Sequence, residues 1–210
     1  MVRIRRNQRD QRMLPGNALF CARRCWTKHA DFGYMKRIED TFQAIATRLV
    51  SGATSISSSE HQEITRFCSL WRLRFFVKQS PLHDGVINGV APEPPRTLAQ
   101  QENLESNGYA YAIGNVMPGE QIASFVIQVW VNRLCDLSTS WGVIISKGAE
   151  FVVPDTFGAL GVVPLSPTCC LVANQASAEI SSENVVAINR IAVEQSVQYY
   201  FARDFPSTML

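Results

Sequence analysis

Glu39, Arg74 and Asp155 are the residues of this chain whose types and positions could do chemistry. Glu39 sits beside an apolar stripe, Arg74 at the end of the apolar run Leu70 to Val77, and Asp155 directly after a short Phe-Val-Val segment. Each is an ionisable group tethered to an element that should be buried, and buried charges need partners. A carboxylate at a strand end is also a common place for binding chemistry. Two carboxylates and a guanidinium brought together would make an enzyme-like or ligand-binding pocket. The same three groups are equally consistent with a structural ion-pair network.

Two further residues belong to the ligand-binding set. Asn189 falls in mid-helix, where asparagine is a poor helix former. If it faces the core it needs hydrogen-bond partners such as Asp155 or the backbone of the hairpin described below. Arg72 interrupts the same apolar run as Arg74 and is expected to snorkel to water.

A second class of function rests on charge. Residues 1–37 carry ten Lys and Arg against two acids, a net of +8, while residues 38–210 net −6, within an overall +2. Arg3, Arg5, Arg6, Arg9 and Arg12 form a basic arm that could hold nucleic acid by counterion release, or fold back on the acidic body. Residues 1–37 are thus the expected contact for nucleic acid.

Metal and cofactor chemistry find little support. Cys21, Cys25 and His29 are spaced by four, but a structural zinc site wants a fourth ligand and closely spaced pairs, so core or surface thiols are the better reading. The sequence holds no glycine-rich phosphate loop, His-Glu-x-x-His, paired CxxC or Gly-x-Ser-x-Gly. His61 near a helix start and His83 in a long loop read as solvated. Glu39 and Asp155 fall short of the several carboxylates a metal-dependent phosphodiesterase needs. Neither a metal nor a cofactor is expected.

At 210 residues the chain has the length of one domain with an arm, and 46% hydrophobic with 18% charged residues excludes global disorder. No apolar run approaches the roughly 18 residues of a membrane span. Met1 to Arg12 is basic but lacks a following apolar segment, so no secretory signal is read, and the six cysteines are expected as reduced thiols in the cytoplasm.

The elements that must position these residues follow from periodicity. Residues 1–17 read as a flexible arm ending at Pro15-Gly16, and residues 18–210 as a single domain. Ile38, Phe42, Ile45, Ala46 and Leu49 form a helical stripe ending before Ser51-Gly52. Ser59 with Gln62 fits a capping box for a second helix through about Phe76, burying Ile64, Phe67, Cys68, Trp71 and Phe75. Residues 78–108 form a long, lid-like connection, with a helix-permissive stretch Leu98 to Asn107 capped by Thr97. Gly119 to Leu134 predicts a helix burying Ile122, Val126, Val129, Trp130 and Leu134. Gly142 to Ile145 and Phe151 to Val153, around Lys147-Gly148, predict a hairpin. Val162 to Pro167 and Cys169 to Ala173 add extended segments, and Ser182 or Glu183 to Arg203 a closing helix. The fold class is α+β, with N-terminal helices, a long loop and a further helix. A small, mostly antiparallel sheet around residues 141–173 and the C-terminal helix complete it.

The segments IEDTFQAIATRL, SSEHQEITRFCSLWRLRF, Trp141 with a following FVVPD, VVPLSP and QYYFARD together resemble the domain-of-unknown-function family four-two-three-eight, found mostly in bacteria. The likeness spans residues 34–204. Its pattern of Ile-Glu, Phe followed seven residues on by Arg, a Trp strand, a Phe-x-x-x-Asp and Pro-Leu-Ser-Pro falls on Glu39, Phe67 with Arg74, Trp141, Phe151 with Asp155, and Pro164 to Pro167. The resemblance therefore implies the same three site residues. Val153-Pro154 and Thr156-Phe157 stand where the family has Thr-Ser and Asn-Pro, and the family's N-terminal His-Val-Pro-Gln-like opening is not apparent in the arm. The departures imply a truncated or inactive relative if the family's site needs those groups.

Overall fold

The stripe from Ile38 to Leu49 is buried, on a rod that begins earlier than its period suggests. The computed structural model describes residues 2–4, 9–11, 25–89, 91–92, 94, 96–135, 139–156 and 161–203. In it, α1 (Lys28–Ala30) passes through a π-helical segment, Asp31–Met35, into α2 (Lys36–Val50). Thr27 starts the rod from an extended backbone, its hydroxyl accepting the N–H of Ala30. Cys25 precedes that start, so it does not share a helix face with His29 as the spacing suggested, and Cys21 lies outside the described residues.

The second helix, α3 (Ser58–Gln79), is capped two residues before the expected pair. Ser57 and Glu60 form a reciprocal capping box, because Ser57 holds the extended conformation an N-cap needs. The cap's backbone and hydroxyl hydrogen bonds, with Arg48 opposite, hold the Glu60 carboxyl below the usual range. A folded-state value below the unfolded one means this contribution is complete above the ordinary carboxylate range and fades as pH falls through the lowered value. Ser57→Ala should lower stability by about 1 kcal/mol in urea denaturation. A second measurement well below pH 4 should show a smaller difference, and an unchanged one would remove Glu60 from the account.

Phe42 of α2 stacks on Phe67 of α3 with ring centroids 3.7 Å apart. Helix α5 (Gly119–Cys135) has the expected bounds, but buries Ala123, Ile127 and Val131 against Met35, Leu70 and Val77. Val129 and Trp130, expected inside, are 53% and 46% exposed. The sequence is apolar nearly all round, and the small Ala123 chooses the contact face because it lets α3 approach closely. Trp71 and Phe75 of α3 are likewise not core residues.

The long connection holds α4 (Leu98–Ser106), capped by Thr97 as expected and followed by Gly108 at φ +79°. It also contributes Gly85–Val86 (β3), which pairs with Val116–Met117 (β4). It is not wholly outside the core, since Glu105 is 2% exposed.

The main sheet has the order β7 (Val162–Ser166), β8 (Cys169–Ala173), β5 (Trp141–Ser146), β9 (Ala178–Ile180), all antiparallel neighbours except β5 with β9. Its centre, β5, is buried on both faces. Trp141 and Val143 meet Leu49, Ile64 and Cys68 on one side, while Ile144 joins Phe151 and Val185 of α6 (Ser182–Gln195) on the other. The predicted hairpin between 142–145 and 151–153 does not form. A strand buried on both faces needs longer partners than Phe-Val-Val, and β8 supplies one along all of Trp141 to Ile145.

From β8 the chain must reach the far edge at β9, and residues 174–177 carry it across β5 at Gly142. A Cβ on Gly142 would lie 2.4 Å from the Gln175 carbonyl oxygen. The hydroxyl of Ser177 accepts the Val143 N–H in passing.

The closing helix ends at Gln195, not Arg203, because Ser196 turns extended and Tyr199–Phe201 (β10) pairs with Val153–Pro154 (β6). A run of three aromatics suits a half-buried strand better than a helix. In the segment expected as an arm, Val2–Ile4 (β1) pairs with β10 and Arg9–Gln11 (β2) pairs with β1. The fold is α+β as expected, and among the described residues no helix is long and apolar enough to cross a membrane.

Candidate functional site

Arg74 reaches back from the last turns of α3 to the rod opposite. Asp31, Met35 and Glu39 are spaced by four along that rod, and all three touch its guanidinium. Asp31 Oδ1 lies 2.6 Å from Nη2, Met35 Sδ lies 3.3 Å from Nε, and Glu39 is paired with Nη1. The Trp26 ring lies 5.2 Å from the guanidinium carbon, and the Trp26 indole N–H donates to Asp31 Oδ1 at 3.1 Å. The expected partnership of Glu39 with Arg74 is therefore present, and Asp31 and Trp26 are members that sequence reasoning missed. The Asp31, Met35, Glu39 spacing could have revealed them.

Asp155 is buried, but its partners are not basic side chains. Its carboxylate accepts the backbone N–H groups of Val197 at 2.9 Å, Gln198 at 2.6 Å and Tyr199 at 3.3 Å. Its own N–H donates to the Tyr199 carbonyl, and its carbonyl accepts the Trp71 indole N–H at 3.4 Å. One carboxylate thus shapes the turn between α6 and β10, with charge-assisted bonds of the stronger kind. Burial, and then the nearby Asp155 charge, push the Tyr199 phenol up. The motif that drew attention to Asp155 was its place after a strand; the acceptor role was invisible because its donors are backbone amides.

Arg74 and Asp155 nevertheless share one surface. Both line a cavity of about 200 Å³ with Trp26, Trp71, Phe75 and Lys78. Glu39 is not on its walls and braces Arg74 from behind.

The other predicted residues lie elsewhere. Asn189 is buried, with Oδ1 accepting the Val152 N–H and Nδ2 donating to the Glu150 carbonyl, each at 2.9 Å. Strand-end backbone is the kind of partner a core-facing asparagine required; pinning this segment to α6 keeps Asn189 off the cavity. Arg72 is exposed, as snorkelling predicts, and does not line the cavity either. Arg3 lies opposite Asp10, and Arg9 opposite Ile4, in the β1–β2 register. Arg5, Arg6 and Arg12 lie outside the described residues. His61, expected to be solvated, accepts the Trp141 N–H on Nδ1 at 3.0 Å and ties α3 to β5. Among the described residues no group of three or more His, Cys, Asp or Glu is placed to hold a metal. Burial raises the Cys68 and Cys170 thiols far above their ordinary value, which makes them packing groups.

The chain matches no family model, no curated protein and no solved structure.

Proposed function

We propose that this chain is a ligand-binding protein, a diverged relative of the domain-of-unknown-function family four-two-three-eight, and that its pocket is the cavity over Arg74. The observation that carries this reading is the meeting of Arg74 and Asp155 on one small cavity walled by two indoles, Trp26 and Trp71. Binding is favoured over catalysis by the same geometry. Arg74 is held by two carboxylates and Asp155 by three N–H groups, so the chemistry the cavity offers is chiefly aromatic, from Trp26, Trp71, Phe75 and Tyr199, with Gln198 also on its wall. That surface suits a small planar ring with an acceptor on its rim. The Asp31–Arg74 ion pair then holds the Trp26 indole, and the Asp155 carbonyl holds that of Trp71.

Tryptophan fluorescence tests this directly, using nucleobases and small aromatic carboxylates as probes. Some member should quench wild-type emission saturably, and Trp71→Ala should bind it about tenfold or more weakly, the worth of one stacked ring. Trp71 is 36% exposed, so the variant should remain folded. Equal binding by a folded Trp71→Ala, or no response to any probe, would leave the cluster as architecture alone.

A further inference from the structure

We infer that the gap between α6 and the main sheet is a binding site for a linear alkyl chain carrying one uncharged hydrogen-bonding head. The gap is a cavity of about 460 Å³, the size of a small-molecule pocket, and it shares no wall residue with the pocket over Arg74. It exists because the core on this side of β5 closes at one end only. Val185 of α6 is fully buried with Ile144, Phe151 and Cys170. One turn on, Ile188 is half-buried, and at Ile191 exposure reaches 37%. Val162 and Val172 on the facing sheet are half-buried as well. Removing that branched apolar surface from water is the driving force open to a guest.

The shape sets the length of the chain. The α6 wall runs from Asn184 to Gln195, and the eleven steps from 184 to 195 at 1.5 Å each make a groove about 16 Å long. An extended chain gains about 3.5 Å for every three bonds, so about a dozen carbons span it.

The polar groups set the head. Among the described residues no charged side chain lines the cavity; its polar wall is Thr156, Gln175, Asn184 and Gln195. None of these four side chains has a hydrogen-bond partner among the described residues. Thr156 is the telling one, since it is only 9% exposed and buried polar groups are nearly always paired. The neighbouring Asp155 carboxylate accepts the Val197 N–H at 2.9 Å, which seats Thr156 at the Gln195 end of the groove. A hydroxyl and an amide at one end can each donate and accept, the complement of an alcohol or a primary amide. A carboxylate or ammonium head there would lose its water with no counter-ion to replace it.

The test is calorimetric titration of the full chain with 1-hexanol, 1-octanol and 1-decanol, and with decanoate and decylammonium as charged homologues. Affinity should rise about fourfold for each added methylene, the worth of one buried CH₂. The charged homologues should bind at least tenfold more weakly than decanol. Thr156→Val keeps the shape of the side chain and removes a hydroxyl that holds nothing in the free protein. It should therefore melt at or above the wild-type temperature and bind decanol severalfold more weakly. Ile191→Gln, at a partly exposed position, should stay folded and weaken decanol binding about tenfold. No binding of any alcohol, affinity that ignores chain length, a charged homologue that binds as well as decanol, or undiminished binding by either folded variant would each overturn the proposal. So would sedimentation of the free chain as a dimer that Ile191→Gln separates, which would make a second copy the occupant.

Discussion

Replacing Asp155 with alanine is expected to lower the unfolding free energy by about 3–5 kcal/mol. The carboxylate accepts three consecutive backbone N–H groups, from Val197 to Tyr199, inside the protein. Alanine removes the acceptor and leaves the donors, and a buried donor without a partner costs about 1–3 kcal/mol. Water entering from the adjoining cavity recovers part of that, which keeps the sum below three full penalties. Asp155→Asn is the informative control. It retains one oxygen but turns an NH₂ group against the amides, so it should cost roughly half as much. Because the donors are backbone groups, the loss should not depend on Arg74, and the two alanine variants should combine nearly additively. Equilibrium denaturation of the singles and the double measures this. A loss under about 1 kcal/mol for Asp155→Ala, or strong coupling to Arg74→Ala, would show that the charge pair dominates the turn.

Gly142→Ala is expected to be as damaging, at about 3 kcal/mol or more, through overpacking of backbone. A methyl group there would meet the Gln175 carbonyl oxygen at 2.4 Å and the Ala176 carbonyl carbon at 2.7 Å. Neither is the end of a flexible side chain. The crossover over β5 would have to lift, and it carries Ser177, whose hydroxyl accepts from Val143 and donates to the Thr54 carbonyl. Both the central strand and its link to the α2–α3 turn would loosen together. A melting temperature within about two degrees of the wild type would mean that the crossover is softer than the structure indicates.

What could be read in the sequence was whatever depended on neighbours along the chain. The stripe of α2, the Thr97 cap of α4 and the bounds of α5 are local patterns, and they stand where periodicity puts them. Glu39, Arg74 and Asp155 were expected to meet because charges on apolar elements need opposites, and the structure joins only Glu39 to Arg74, while Asp155 takes backbone donors instead. Features decided by distant segments were not legible. The apolar run of α5 satisfies several faces equally, and only the close approach of α3 at Ala123 selects one. Phe151 to Val153 looked like the return arm of a hairpin because its length and composition fit, but the competing partner, β8, is longer and matches β5 residue for residue. Tyr199 to Phe201 continued a plausible helix until Asp155, more than forty residues earlier, bent the preceding turn. Gly142 passed as one member of an apolar strand, since nothing in its own neighbourhood announces a crossover.

The π-helical segment Asp31–Met35 acts as a phase setter between the start of the rod and the Arg74 cluster. An α-helix turns about 100° per residue, so residues spaced by four drift around it by about 40° at each step. The wider turn, closed by the Lys36 N–H on the Asp31 carbonyl, takes up that drift between Asp31 and Met35, so that both meet Arg74 beside Glu39, one regular turn further on. It equally fixes the angle at which Thr27 and His29, one turn earlier, face α4 and α5. Deleting a single residue within it would restore a regular helix and bring back that drift of about 40° in everything before it. Asp31 and Trp26 would leave Arg74 in the same motion that carries Thr27 away from the Ser124 hydroxyl that accepts its N–H. The Arg74 cluster and the rod's tie to α5 are thus geared to one shaft, and the tooth that sets their timing is one extra residue.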